Sequence, residues 1–203
     1  MLKLKQTPAG APRLCGQQIE FGTILPFFNG QLLTDARLEQ VPTAGETPDE
    51  ILLRWYAPAL SSGWLQLHIQ LGAQEGSLQF SLHNPPETAI NVFGIGFEQI
   101  QGVDTFLKSG YHSWDGSHYH QVKESAHATV WQGYAFTQLL TETCQNNLTL
   151  GFERHDRFQH QFNFQPTGNA LQLTIAVLWD QKKVSSGLPY MAEKILILEH
   201  DGV

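Results

Sequence analysis

Charge is scarce in this sequence. Asp, Glu, Lys and Arg together make 15% of its 203 residues, against roughly 25% in an average globular chain. Gln, Asn, Ser, Thr and His must therefore keep the surface wet. Twelve basic residues face 19 acidic ones, for a net charge of −7, and they form no run. Nucleic acid is not an expected partner, because phosphate binding needs a clustered basic face. The same shortage leaves no basic amphipathic stretch to seat on a membrane. No apolar run nears the ~20 residues that span a bilayer. The opening Met1-Leu2-Lys3-Leu4-Lys5 lacks the apolar core of a signal peptide. A cytoplasmic location is expected, with no membrane partner.

Cysteine is also scarce. Cys15 and Cys144 are the two present, too few for a disulfide scaffold. One bridge between them stays open, and two unlinked buried thiols are expected. Nucleophile and phosphate motifs are missing: there is no Gly-x-Ser-x-Gly elbow and no phosphate-binding glycine loop. Gly94-Ile95-Gly96 lacks the third glycine and the following helix of a dinucleotide site. No cofactor is implied. No stretch holds a 3.6-residue apolar period over three turns, so helix is not expected either.

What the chain does have is alternation. Leu65, Leu67, Ile69 and Leu71 alternate with Gln66, His68 and Gln70; Leu78, Phe80 and Leu82 alternate with Gln79, Ser81 and His83. That pattern predicts strands with one wet face, carrying His68 and His83 to solvent. Asn29-Gly30 predicts a tight hairpin turn, since both residues tolerate positive φ. Residues 33–41 read as one helical turn or a charged strand. From Ile90 and Val92 to Phe93, Ile95 and Phe97 the phase flips, which predicts a bulge that Gly94 and Gly96 would tolerate. Val130–Phe136 and Cys144–Phe152 read as strands; Phe158, Phe162 and Phe164 share a face; Leu171 to Trp179 alternate; Lys194–Glu199 reads as a fully buried strand. About a dozen strands without a helix predict an all-β fold, a large two-sheet β-sandwich. No repeat of fixed period suggests a propeller. Residues 1–203 are read as a single domain.

Ionisable residues cluster twice. His118 and His120 share a strand face, with His112 and His127 nearby. Zinc needs three or four converging ligands, and no cysteine pair or His-Glu-x-x-His helix accompanies these, so no metal site is assigned. Glu153-Arg154-His155-Asp156-Arg157 could supply an acid/base pair from Glu153 and His155. It also reads as a charged hairpin tip between two strands, and that reading is preferred.

The stretch Phe106 to Ser117 is aromatic, glycine-bearing and polar at once. Tyr111 and Trp114 with small polar neighbours suit a sugar, whose C–H face lies on a ring while hydroxyls meet polar groups. The alternative is an aromatic corner plugging the end of a sandwich. Leu107-Lys108-Ser109-Gly110-Tyr111-His112-Ser113-Trp114 resembles the "NGYQSWS"-like segment in the N-terminal domain of α-galactosidases of the melibiase/raffinose-synthase family of glycoside hydrolases. Gly110, Tyr111, Ser113 and Trp114 match; Ser109 replaces a common Asn, and His112 a common Gln. Leu150 to Phe158, containing Gly151-Phe152 and Asp156-Arg157-Phe158, is similar to the family's "GFLTFDRF"-type strand pair.

The resemblance implies a supersandwich related to galactose mutarotase, packed on a (β/α)₈ barrel that carries both catalytic aspartates. Nothing in this chain looks like that barrel. The implied role is a non-catalytic N-terminal domain, inactive alone, with a galactoside-like carbohydrate and a catalytic barrel of the same chain as partners. A homo-oligomer is allowed. In the family this segment's tryptophan reaches toward the sugar pocket. Trp114 is therefore expected to stack on a sugar or seal the pocket rim, with Tyr111 and His112 in support. Two other functions stay open: a stand-alone carbohydrate-binding module built on Trp114 and Tyr111, and a mutarotase-like epimerase with a histidine acid and a glutamate base.

Overall fold

A computed structural model of the chain describes residues 2–6, 12–41, 50–73, 75–86, 89–110, 116–125, 130–155, 158–179 and 187–202. Five strands come first in one sheet: β1 (Lys3–Gln6), β2 (Pro12–Cys15), β3 (Glu20–Phe21), β4 (Ile24–Phe28) and β5 (Gln31–Leu32). Four follow in a second sheet: β6 (Arg37–Val41), β7 (Glu50–Tyr56), β8 (Trp64–Leu71) and β9 (Glu75–His83). The chain then alternates between sheets. β10 (Val92–Gln101), β13 (Trp131–Gly133), β16 (Gln159–Thr167) and β17 (Ala170–Leu178) join the first sheet. β11 (Thr105–Lys108), β12 (His118–Gln121), β14 (Phe136–Leu140), β15 (Asn147–Phe152), β18 (Tyr190–Met191) and β19 (Ile195–His200) join the second.

The sheets have nine and ten strands, and the larger runs β12-β11-β14-β15-β19-β9-β8-β7-β6 with β18 beside β9. The expected all-β, two-sheet sandwich is what the residues build. Among the described residues, no helix is long and apolar enough to cross a membrane.

The alternation over β8 and β9 makes the core as expected. Leu65 pairs with Leu82, Leu67 with Phe80 and Ile69 with Leu78, and all six side chains are fully buried. Opposite them lie Phe93, Ile95 and Phe97 of β10 and Phe162 and Phe164 of β16, also fully buried. Phe80 meets Phe93 edge to face, with ring centres 5.7 Å apart. Each such side chain contributes about 1.5–3 kcal/mol by leaving water. Asn29 and Gly30 take φ 46° and 92° and turn β4 into β5, with Phe28 opposite Gln31. Residues 37–41 settle as strand, a charged edge that discourages pairing with another chain. Cys15 and Cys144 are unlinked; Cys15 is buried and Cys144 half-buried.

Four local expectations change. The bulge in β10 lies between Phe97 and Ile100, where three steps on β10 meet two on β17. Gly94 and Gly96 are instead sites of close approach. A Cβ on Gly94 would stand 2.1 Å from the Ile175 carbonyl oxygen, and one on Gly96 2.3 Å from Leu32 Cδ2. Residues 130–136 are not one strand: β13 and β14 belong to different sheets, and the chain crosses at Ala135 with φ 62°. Residues 153–158 are not a hairpin tip, because β15 and β16 also lie in different sheets. Finally, β19 buries only alternate residues: Ile195 and Ile197 face the core, while Leu196 and Leu198 are about 40% exposed.

Candidate functional site

Strands β11 and β12, which flank the aromatic stretch in sequence, pair from Thr105 opposite Gln121 to Lys108 opposite His118. Its neck is tightly built. The Gly110 N–H donates to Ser117 Oγ at 3.1 Å. A Cβ on Gly110 would lie 2.6 Å from the Gly116 carbonyl oxygen, so the two glycine backbones close the neck where no side chain fits. Gly116 takes φ 59°, the left-handed region glycine enters without strain.

Ser109 ties this neck to the crossover between β13 and β14. Its Oγ accepts the Tyr134 N–H at 3.0 Å. Its single proton has two carbonyls in reach, those of Tyr134 and Phe136. The side chain is buried, so these bonds form away from water and hold their geometry. Gly133 gives room for this: a Cβ there would stand 3.2 Å from the Ser109 backbone nitrogen.

Beneath the neck four rings connect the sheets. Phe164 stacks on Phe106 with centres 4.7 Å apart, Phe106 meets His120 at 5.6 Å, and His120 meets Trp131 at 4.0 Å. His120 Nε2 and Trp131 Nε1 are both buried and have no hydrogen-bond partner among the described residues. Burial, then the neighbouring His118 and Lys108 charges, push the His120 pKa below its ordinary value, so its imidazole is neutral at pH 7. A neutral imidazole nitrogen and an indole N–H are hydroxyl-pairing groups. On the outer sheet face, Tyr119 OH donates to Gln138, which reaches Thr149 at 3.4 Å, and Thr149 meets His200 at 2.8 Å.

Tyr111, His112 and Trp114, the residues expected to meet a sugar, lie outside the described residues, as does His127. The structure gives their stem. His118 and His120 do share a strand; His118 is exposed and His120 half-buried. No group of three or more His, Cys, Asp or Glu able to hold a metal occurs among the described residues.

Glu153 and His155 are exposed and contact other residues than each other. The Glu153 N–H bonds the Lys194 carbonyl. His155 Nδ1 lies 3.2 Å from His160 Nδ1. The buried acid–imidazole pair is one the sequence reading missed: His160 Nε2 to Glu193 Oε2 at 2.9 Å, with side chains 2% and 3% exposed. Phe152 stacks flat on His160, centres 3.8 Å apart. A signal existed, because His160 has the same parity as Phe158, Phe162 and Phe164, and a polar group on a core face needs a partner. His68 and His83 are half-buried rather than simply solvent-facing. His68 pairs with Glu50 at 2.6 Å; His83 stacks on Trp64 at 5.0 Å and bonds Ser81 at 2.9 Å.

A two-sheet sandwich with a pinned hairpin neck defines the class by shape. No protein-family model matches the sequence, and neither does any curated protein. Solved structures match by fold. One is the α-N-acetylgalactosaminidase NagBb from Bifidobacterium bifidum in complex with GalNAc, at TM-score 0.56 and 9% identity, over 99% of this chain and 36% of that one. Another is the GH36 α-galactosidase AgaB from Geobacillus stearothermophilus, at TM-score 0.49 and 8% identity, over 98% of this chain and 30% of that one. The chain spans about a third of the length of the structures it matches. The likeness to the bifidobacterial enzyme is one of fold, and that fold is the sandwich the two sequence motifs imply.

Proposed function

We propose that this chain is the non-catalytic N-terminal sandwich of an α-galactosidase-like glycoside hydrolase. In this reading it packs on a catalytic barrel of the same protein and lends the loop bearing Tyr111, His112 and Trp114 to a galactoside site. The observation that carries the reading is the fold match, in which nearly all of this chain corresponds to about a third of a sugar-processing enzyme. The pinned neck supports it, since a loop that delivers one aromatic ring to a neighbouring pocket needs a stem that holds position. The epimerase alternative gains the His160–Glu193 pair, but both side chains are almost wholly buried and leave a sugar no face to approach.

The test is Trp114→Ala, read by thermal melting of this chain and by activity in the longest natural protein. A rim residue costs about 1 kcal/mol of stability or less and raises KM or abolishes galactoside affinity. A plugging residue costs about 3–5 kcal/mol and ends the functional reading of the loop. The 203-residue chain alone is expected not to hydrolyse an aryl α-galactoside. Turnover lost on replacing one of its own carboxylates would place the active site within it.

A further inference from the structure

The outer face of the nine-stranded sheet carries a groove of about 360 Å³ between the turn of β4 into β5 and strands β16 and β17. Its polar lining is Asn163, Gln165, Gln172 and Thr174; its apolar walls are Phe27 and Leu32. Register explains the convergence. Asn163 lies opposite Thr174 and Gln165 opposite Gln172, while their neighbours Phe162, Phe164, Leu173 and Ile175 point into the core. Gly96, next to Thr174 in β10, has no side chain, so Leu32 packs down onto it.

Among the described residues, the lining holds no ionisable side chain. Three other cavities do: Glu75, Glu199 and Asp201 line one of about 860 Å³, Arg13, Glu20 and Glu98 another, and Glu75 and Lys194 a third. A groove without charge offers nothing to an anion or a cation that water does not offer better. Carboxamides suit another ligand. Each presents a donor and an acceptor side by side, which matches two adjacent hydroxyls, each also donor and acceptor. Asn163 Oδ1 takes one bond from Gln132 at 3.3 Å, which orients the amide and leaves its NH₂ to donate. Phe27 and Leu32 supply the apolar wall for a ring's C–H face. The volume falls in the range of small-molecule clefts, about 300–1,000 Å³.

We propose that this groove binds a neutral saccharide unit. The site rests on its own lining in the nine-stranded sheet, whereas β11 and β12, which flank the aromatic loop, belong to the ten-stranded one. Side-chain amide resonances of Asn163, Gln165 and Gln172 report on it directly in ¹H–¹⁵N spectra of the whole chain. Melibiose and cellobiose serve as neutral probes, with galacturonate as the charged control. The expected result is saturable shifts at these amides with at least one neutral disaccharide and none with galacturonate. The double variant Gln165→Ala/Gln172→Ala should keep its melting temperature and weaken the binding read at Asn163 about tenfold or more. The proposal is overturned if no neutral probe moves these amides, if galacturonate moves them equally, or if the double variant binds as before.

Discussion

Two histidines divide the molecule into a finished part and an unfinished one. His160 and His120 both stack on aromatic rings, Phe152 in one case and Trp131 in the other. His160 has a partner at each nitrogen, His155 on one side and Glu193 on the other. Among the described residues, His120 leaves Nε2 buried and unmatched, as Trp131 does its indole nitrogen. Unmade buried bonds are costly, so folded proteins keep few of them. A complete histidine is explained by the fold. The unmatched pair lies under the neck of the loop that the proposed function assigns to a sugar site, and the matched pair does not.

The strongest attempt to break this contrast is Glu193→Ala. Removing one member of a buried pair leaves the other uncompensated, and about 3–5 kcal/mol of stability should be lost in denaturant unfolding. A loss under about 1 kcal/mol would mean that His160 is not held by Glu193 and that the finished site is misidentified. His120→Phe probes the other side. Replacing an unmatched buried polar ring by an apolar one should change stability by about 1 kcal/mol or less, in either direction. A large loss would reveal a bond that His120 makes within the fold.

The smallest effect is on pH dependence. Burial lowers the pKa of both His83 and His120 from 6.5, helped by Arg54 at His83 and by His118 and Lys108 at His120. As pH falls below that value, the unfolded chain takes up protons that these two resist when folded. Their contribution is thus present above about 6.5 and is lost as pH drops through the lower folded values. Melting temperature should fall more between about pH 7.5 and 5.5 in the parent than in His83→Gln/His120→Gln. Equal falls in the two proteins would remove both histidines from the account.

Strand identity was legible wherever one face is wet, because a period of two is written in adjacent residues. The β8–β9 pair and the Asn29-Gly30 turn show this. Which sheet a strand joins was not legible. Val130–Phe136 alternates well enough for one strand, yet Ala135 turns it from one sheet into the other, and nothing local to the sequence demands φ 62° there. Glu153 to Phe158 likewise looks like a hairpin tip until pairings some 40 residues away separate β15 from β16. The candidate loop stood out by composition. Its stem did not, because Ser109 acts through backbone atoms of Tyr134 and Phe136, a long-range contact with no sequence pattern. The amide groove escaped notice for a related reason: Gln and Asn on a wet face look like ordinary solubilising residues until register sets four strands side by side.

The place of β19 has a consequence for how the chain comes together in time. It lies between β15 and β9, so residues 195–200 join a β12-β11-β14-β15 half to a β9-β8-β7-β6 half. During synthesis the two halves exist before the strand that unites them, and each exposes an unpaired edge facing the other. Pairings this distant in sequence form slowly, because loop closure precedes any reward from contact. Cooperative folding of the ten-stranded sheet must therefore wait until residues 195–200 have left the ribosome. Over that interval the nascent chain is most open to edge-to-edge association with its neighbours.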